Sequence, residues 1–139
     1  MYERFCCINN TAATSYHFLS LFNTVTTKDF IKHGLGLIGI KVQRFKGVVL
    51  DRRFRAFFGT CPQVCVMVWR TLIKLQWFQK NNIKTPNFRH LLWALRFLKA
   101  YDVQEIHACE VGIDEKTWQK WIWKYVEAIT SISKHVVCF

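Results

Sequence analysis

A helical stripe near the C-terminal end constrains this chain more than any other feature. In DEKTWQKWIWKYVEAI, the apolar residues Trp118, Trp121, Ile122, Tyr125, Val126 and Ile129 recur at i, i+3, i+4, i+7, i+8 and i+11. That spacing puts them on one side of an α-helix and on no single face of a strand. So aromatic a side must be covered, and the residues before it provide a partner. Gly112 stands where a helix ends in a left-handed residue, a conformation that a Cβ disfavours. Asp114 is placed to cap the helix over 114–131, with Ile113 and Trp118 as a hydrophobic staple. Asp102 and Glu105 form a second capping box, stapled by Tyr101 and Ile106, and open a short helix over 103–110. Short helix, glycine turn and longer helix make a helix-turn-helix pattern. Ala108, four residues before Gly112, is small where the two helices must approach.

Two more helices precede this pair. Cys65, Val68, Trp69, Leu72 and Leu75 recur at helical spacing, Pro62 suits a first turn, and Gln63, Arg70 and Lys74 lie on the opposite side, so the pattern predicts a helix over 62–77. After the loop QKNNIKTP, the residues Phe88, Leu91, Leu92, Leu95 and Leu98 predict a helix over 88–100, with Arg89 and Arg96 on its polar side. The expected fold is mainly α: a small helical bundle containing a helix-turn-helix over 51–139, after an irregular basic N-terminal segment over 1–50. Within that segment only Asp29–His33 reads as the start of a short helix. The expected core includes Val68, Leu72, Leu92, Leu95, Ile106, Ala108, Trp118, Ile122 and Tyr125.

Charge points to a class of partner. Twenty Lys and Arg stand against nine Asp and Glu, a formal net charge of +11. It is uneven: residues 1–100 hold 16 basic and 3 acidic residues, whereas 101–139 hold 4 and 6. A strong positive field favours polyanions, nucleic acid first and an anionic membrane surface second. The membrane reading needs a basic amphipathic helix, and the first strong helix offers only Arg70 and Lys74 on its polar side. The longest apolar run, Val64–Trp69, is far short of the roughly 20 residues of a bilayer span. MYERFCCINN has no signal-peptide core, so the Asn9-Asn10-Thr11 sequon is expected to be idle. Cys61 and Cys65 are spaced C-x3-C without a second close pair or H-x3-H, so the six cysteines are read as thiols packed as small hydrophobes, not as a zinc site. Gly34, Gly36 and Gly39 match G-x-G-x-x-G, but the preceding TTKDFIKH is helix-like and the following IKVQRF alternates like a strand. That is the reverse of the order a dinucleotide site requires. No cofactor, metal or small-molecule substrate is expected.

Double-stranded DNA is the expected partner. Lys41, Arg44, Lys46, Arg52, Arg53, Arg55, Arg89 and Arg96 are the candidate phosphate contacts. In Arg53-Phe54-Arg55 a ring alternates with charge and could stack on a base, although Phe54, Phe57 and Phe58 read somewhat better as core plugs. If the longer helix of the pair enters a major groove, Glu115, Lys116, Thr117, Gln119 and Lys120 face the bases. Two features oppose base reading. Lys116, Lys120 and Lys124 are balanced by Asp114, Glu115 and Glu127, and Trp123 lies on the polar side with them. A tryptophan there wants a cover, either the N-terminal segment or a protein partner.

FRAFFGTCPQVC, LLWALRFLKAY and DEKTWQKWIWKYVEAI, in this order, resemble the region that precedes the catalytic domain in Harbinger-like DDE transposases, the "DDE superfamily endonuclease" proteins. The resemblance covers roughly residues 50–132. It implies a helical region that binds transposon ends in the nucleus, followed in the family by a ribonuclease-H-like domain with three metal-binding carboxylates. This sequence reaches Phe139 with no residue matching that triad, and Cys61 stands where the family commonly has a serine cap. The expectation is therefore a DNA-binding module without a nuclease site of its own, since two-metal chemistry needs those carboxylates. The alternative is an interaction module that docks through Trp123 on a transposase catalytic domain in trans or on a second copy.

Overall fold

The computed structural model describes residues 25–136 except 42 and 44, and for 134–136 the backbone only. The described residues are mainly helical, with no strand among them. In chain order the helices are α1 (Thr27–Leu37), α2 (Gly47–Phe58), α3 (Pro62–Lys74), α4 (Trp77–Lys80), α5 (Phe88–Ala100), α6 (Gln104–Val111) and α7 (Glu115–Val136). They form a small bundle around α5, which packs against α1, α2, α3 and α7. α6 packs on α7, and α1 packs on α2 and α3.

Helical structure begins earlier than the sequence pattern implies. Thr26 and Asp29 close a capping box, in which the Thr26 N–H and hydroxyl donate to Asp29 Oδ2 at 2.8 and 3.1 Å. The helix this starts runs on through Gly34 and Gly36 to Leu37. The glycines of the G-x-G-x-x-G match thus belong to a helix and its end. A Cβ on Gly34 would stand 2.6 Å from Phe54 Cε2 and 2.9 Å from Phe58 Cε2, so this glycine lets α1 lie directly on two rings of α2. The basic stretch after it is also helical from Gly47, and its Phe54 and Phe58 are buried. Phe54 is a core plug and no stacking platform for bases.

Three further expectations need correction. The helix over 62–77 ends at Lys74, because Gln76 turns left-handed (φ 55°) and starts α4, which buries Trp77 and Phe78 together. The Asp102–Glu105 capping box does not form. Asp102 Oδ1 accepts the adjacent Val103 N–H at 2.8 Å, and α6 starts one residue later than expected. The Asp102 N–H instead donates to Nε2 of buried His107 at 3.3 Å, which pins the turn from inside. The staple fails with the box: Tyr101 and Ile106 are exposed, so Ile106 leaves the expected core, as does Leu98 from its stripe. Val68 and Leu95 are partly buried, while Leu72, Leu92, Ala108, Trp118, Ile122 and Tyr125 are buried as expected. Cys65 is buried, and burial pushes its thiol up to about 12. Cys61 is half-buried and Cys109 is exposed, so packing as a small hydrophobe fits Cys65 best. Cys6, Cys7 and Cys138 lie outside the described residues.

Candidate nucleic-acid interface

The hinged pair forms from short-range bonds. Gly112 turns at φ 76°, Gly112 N–H donates to Cys109 O, and Ile113 N–H donates to Ala108 O, both at 3.1 Å. These are the bonds of a helix closed by a left-handed residue. Asp114 then caps α7: its Oδ1 accepts the Thr117 hydroxyl at 2.6 Å and its Oδ2 the Thr117 N–H at 3.0 Å. The Thr117 hydroxyl, and after it the N–H, hold the Asp114 carboxyl below its usual range. Ala108 and Trp118 are buried beneath the turn, and Ile113 is partly buried beside them.

The candidate base contacts stand on the first turns of α7, but three of them, Glu115, Thr117 and Gln119, are already engaged. The Thr117 hydroxyl is on Asp114, and Gln119 Nε2 donates to Glu115 Oε1 at 3.1 Å. Lys116 and Lys120 are exposed. Of the candidate phosphate contacts, Lys41, Lys46, Arg52, Arg53, Arg55 and Arg89 are exposed, and Arg44 lies outside the described residues. Arg53 covers the Phe45 ring at 4.1 Å. Arg96 is turned inward. It lies 4.6 Å from the Phe57 ring centroid, donates to Phe57 O at 3.5 Å, and places Nε 3.5 Å from Glu110 Oε1. Its charge ties α2, α5 and α6 together, so it is a poor phosphate contact.

A second grouping runs from α1 across α5 to α7. His90 on α5 stacks on Trp121 of α7, with centroids 4.5 Å apart and planes at 21°. Trp93 meets the same imidazole at 4.7 Å, and Tyr125 meets it edge-on at 5.6 Å. Lys120 and Lys124 hold their ammonium groups 5.4 and 5.3 Å from the Trp121 ring centroid, within the roughly 6 Å reach of cation–π attraction. Trp93 also lines an open cleft with Lys32, His33, Gly36, Leu37 and Arg89. Four lysine and arginine side chains from three helices therefore flank one strip of rings: Trp93, His90 and Trp121.

Burial disfavours the protonated form of both histidines of this region, His90 and His33. Burial lowers His90 to about 4. His33, edge-on to Phe88 at 5.1 Å, is lowered by burial first and then by Arg89 and Lys32, with Asp29 opposing. Arg89 and Lys120 were candidates from sequence; Lys32, His33, His90, Trp93, Trp121 and Lys124 were not assigned to a binding role. Lys120, Trp121 and Lys124 carry a local signal, two cations one turn apart beside a ring. The stack on His90 has none, because it joins residues on separate helices.

Trp123 is half exposed, with its edge on Phe97 at 5.8 Å; exposed Tyr101 meets the same Phe97 ring at 5.5 Å. Among the described residues no group of three His, Cys, Asp or Glu is placed to hold a metal ion. No single helix among them is long and apolar enough to cross a membrane. The pair α2–α3 reaches the needed length and hydropathy together, but it bends by 60° and buries Phe54, Phe58, Cys65 and Trp69 in the bundle core. No family model matches the chain, and no curated protein and no solved structure matches it.

Proposed function

We propose that the chain is a DNA-binding module that holds the duplex backbone mainly through cations beside the α1–α5–α7 strip. The observation that carries this reading is the placement of Lys120 and Lys124 over Trp121, with Arg89 and Lys32 on the far side of His90 and Trp93 in the same run of contacts. Phosphates are neutralised by such cations, and rings between them give an apolar floor that water solvates poorly. The first turns of α7, with Lys116 and Gln119, adjoin Lys120 and supply whatever base preference exists. The narrower proposal, from the motif resemblance, is transposon-end binding in a nucleus.

Fluorescence anisotropy with a random-sequence duplex at several salt concentrations tests the reading. Sub-micromolar binding at low salt is expected. The slope of log K against log salt should be about −3 to −4 from these four cations, with more from the exposed arginines of α2. No binding by a chain that circular dichroism shows helical removes it. If alanine at Lys116, Gln119 and Lys120 changes nothing while alanine at Arg52, Arg53 and Arg55 abolishes binding, α7 is not the reader.

A second reading rests on Trp123. A half-exposed indole beside exposed Tyr101 is suited to a protein partner, a catalytic domain in trans or a second copy of the chain. Trp123→Ala separates the two readings, because lost self-association or partner capture with intact duplex binding assigns the residue to docking.

A further inference from the structure

Gly36 raises a question that its two neighbours in sequence pattern do not. Gly34 is required by the rings of α2, and Gly39 takes a left-handed φ of 73°. Gly36 has neither reason: it sits inside α1 without a left-handed φ, and beyond its own helix backbone nothing lies within 4 Å of where a Cβ would stand. A glycine inside a helix destabilises it relative to alanine. What its missing side chain does is leave space, since Gly36 lines the cleft shared with Lys32, His33, Leu37, Arg89 and Trp93.

That cleft has a volume of about 270 Å³ and opens to solvent. It lies just under the roughly 300–1,000 Å³ of small-molecule pockets, and is far too small for a duplex. Its chemistry has two parts. Lys32 and Arg89 come from different helices, both lie close enough to His33 to lower its proton affinity, and both can pair with a phosphate. Trp93 and Leu37 provide an indole and an aliphatic side chain against which a planar base can rest. Cation pair, ring and volume together match one nucleotide.

We infer that the cleft between α1 and α5 takes a single unpaired nucleotide of a nucleic-acid strand, with its phosphate at Lys32 and Arg89 and its base against Trp93. This rests on the DNA-binding reading and deepens it: the duplex lies along the strip, and an unpaired end turns into the cleft. The preferred substrate is then a duplex with a short single-stranded extension.

The test compares a blunt 20-base-pair duplex with the same duplex carrying a three-nucleotide overhang, using wild-type chain and Gly36→Leu. The leucine reaches into the cleft from a lining position whose Cβ meets no other part of the fold within 4 Å, and it favours helix, so the fold is expected to be retained and circular dichroism checks this. Wild-type should bind the overhang substrate about tenfold more tightly, the scale of one base stacked on an aromatic side chain. Gly36→Leu should lose that preference while binding blunt duplex within about twofold of wild-type. Equal wild-type binding to both substrates, or a preference that survives in Gly36→Leu, overturns the inference and leaves the DNA-binding reading standing. No binding to either substrate at low salt overturns both. Millimolar adenosine monophosphate should compete away only the overhang preference. Saturable binding of that nucleotide without any overhang preference would assign the cleft to a free nucleotide and overturn the strand assignment.

Discussion

α7 serves two regions built in different ways. Its first turns are placed by bonds that reach five residues or fewer, Ile113 to Ala108 and Thr117 to Asp114. Its middle turns are placed by α5: Trp121 lies on His90, and the Tyr125 hydroxyl accepts the N–H of Asn87, 38 residues away. The first region is close to neutral, because Lys116 and Lys120 are matched in number by Asp114 and Glu115, and three of its polar side chains, Glu115, Thr117 and Gln119, are occupied by each other or by the cap. The second gathers its cations from three helices onto a floor of rings. The hinge positions a helix, but what lies beside that helix decides its charge, so the two properties of a binding surface come from different ranges of the chain.

The sharpest way to separate the regions is through their glycines. Gly34→Ala would drive a Cβ to 2.6 Å from the Phe54 ring and 2.9 Å from the Phe58 ring, both of them buried in the core. α1 must then lift from α2, carrying Lys32 and His33 with it. The expected cost is about 2–3 kcal/mol in urea unfolding, since overpacking a core outweighs the gain in helix propensity. Overhang preference should fall while the α6–α7 turn is kept. A variant as stable as wild-type would mean that α1 does not need so close an approach.

Tyr125→Phe tests the link between the regions. It keeps the ring contacts of Tyr125 with His90 and Phe78 and removes only the hydroxyl. The partly buried N–H of Asn87 then has no acceptor, which should cost about 1–2 kcal/mol. Hydrogen exchange at Asn87 should accelerate, with little change at Gly112 and Ile113. Equal acceleration at both places would show that the regions unfold as one.

Gly112→Ala belongs to the hinge alone. No atom lies within 4 Å of the Cβ position, so the penalty comes only from a left-handed φ of 76°. About 1 kcal/mol is expected, less than for Gly34→Ala, with unchanged affinity for random duplex if the strip carries the backbone contacts. A large loss of affinity would return the main binding role to the first turns of α7.

These differences follow what local pattern can encode. The stripe on α7, the Asp114 cap and the Gly112 turn were readable because their causes lie within a few residues. So were α5 and most of α3. Asp102 misled because the local rule assigned it to Glu105, whereas buried His107 competes for the same turn. Gln76 misled because a helical pattern continues through it, while Trp77 and Phe78 can both be buried only after a left-handed step. Thr26 and Asp29 did carry a readable cap, but polar neighbours and two glycines outweighed it in the pattern. For the candidate site, Arg89 and Lys120 were found as charges. Arg96 reads as one more phosphate contact in sequence, because nothing in its own helix shows that Glu110 and Phe57 hold it. Nor does the sequence around Cys109 show that its thiol is exposed.

His90 gives the smallest effect and the cleanest sign. Burial among Trp93, Trp121 and Tyr125 lowers its pKa to about 4, against 6.5 for an ordinary histidine. Between those values the unfolded chain binds the proton more readily than the folded one, so the contribution of His90 is complete above pH 6.5 and is lost as pH falls toward 4. At pH 5 the loss should be about 1 kcal/mol, after discounting for the solvent that still reaches the ring. His90→Phe keeps a ring on Trp121 and cannot take up that proton. Its melting temperature should therefore fall less than that of wild-type between pH 7 and pH 5, while the two curves stay parallel from pH 7 to 8. His107, also lowered by burial, titrates in the same direction, so some loss persists in the variant. The difference between the curves is the part that belongs to the strip. Coincident curves would mean that water reaches His90 freely and that the ring stack is open in solution, which would remove the apolar floor on which the duplex is proposed to lie.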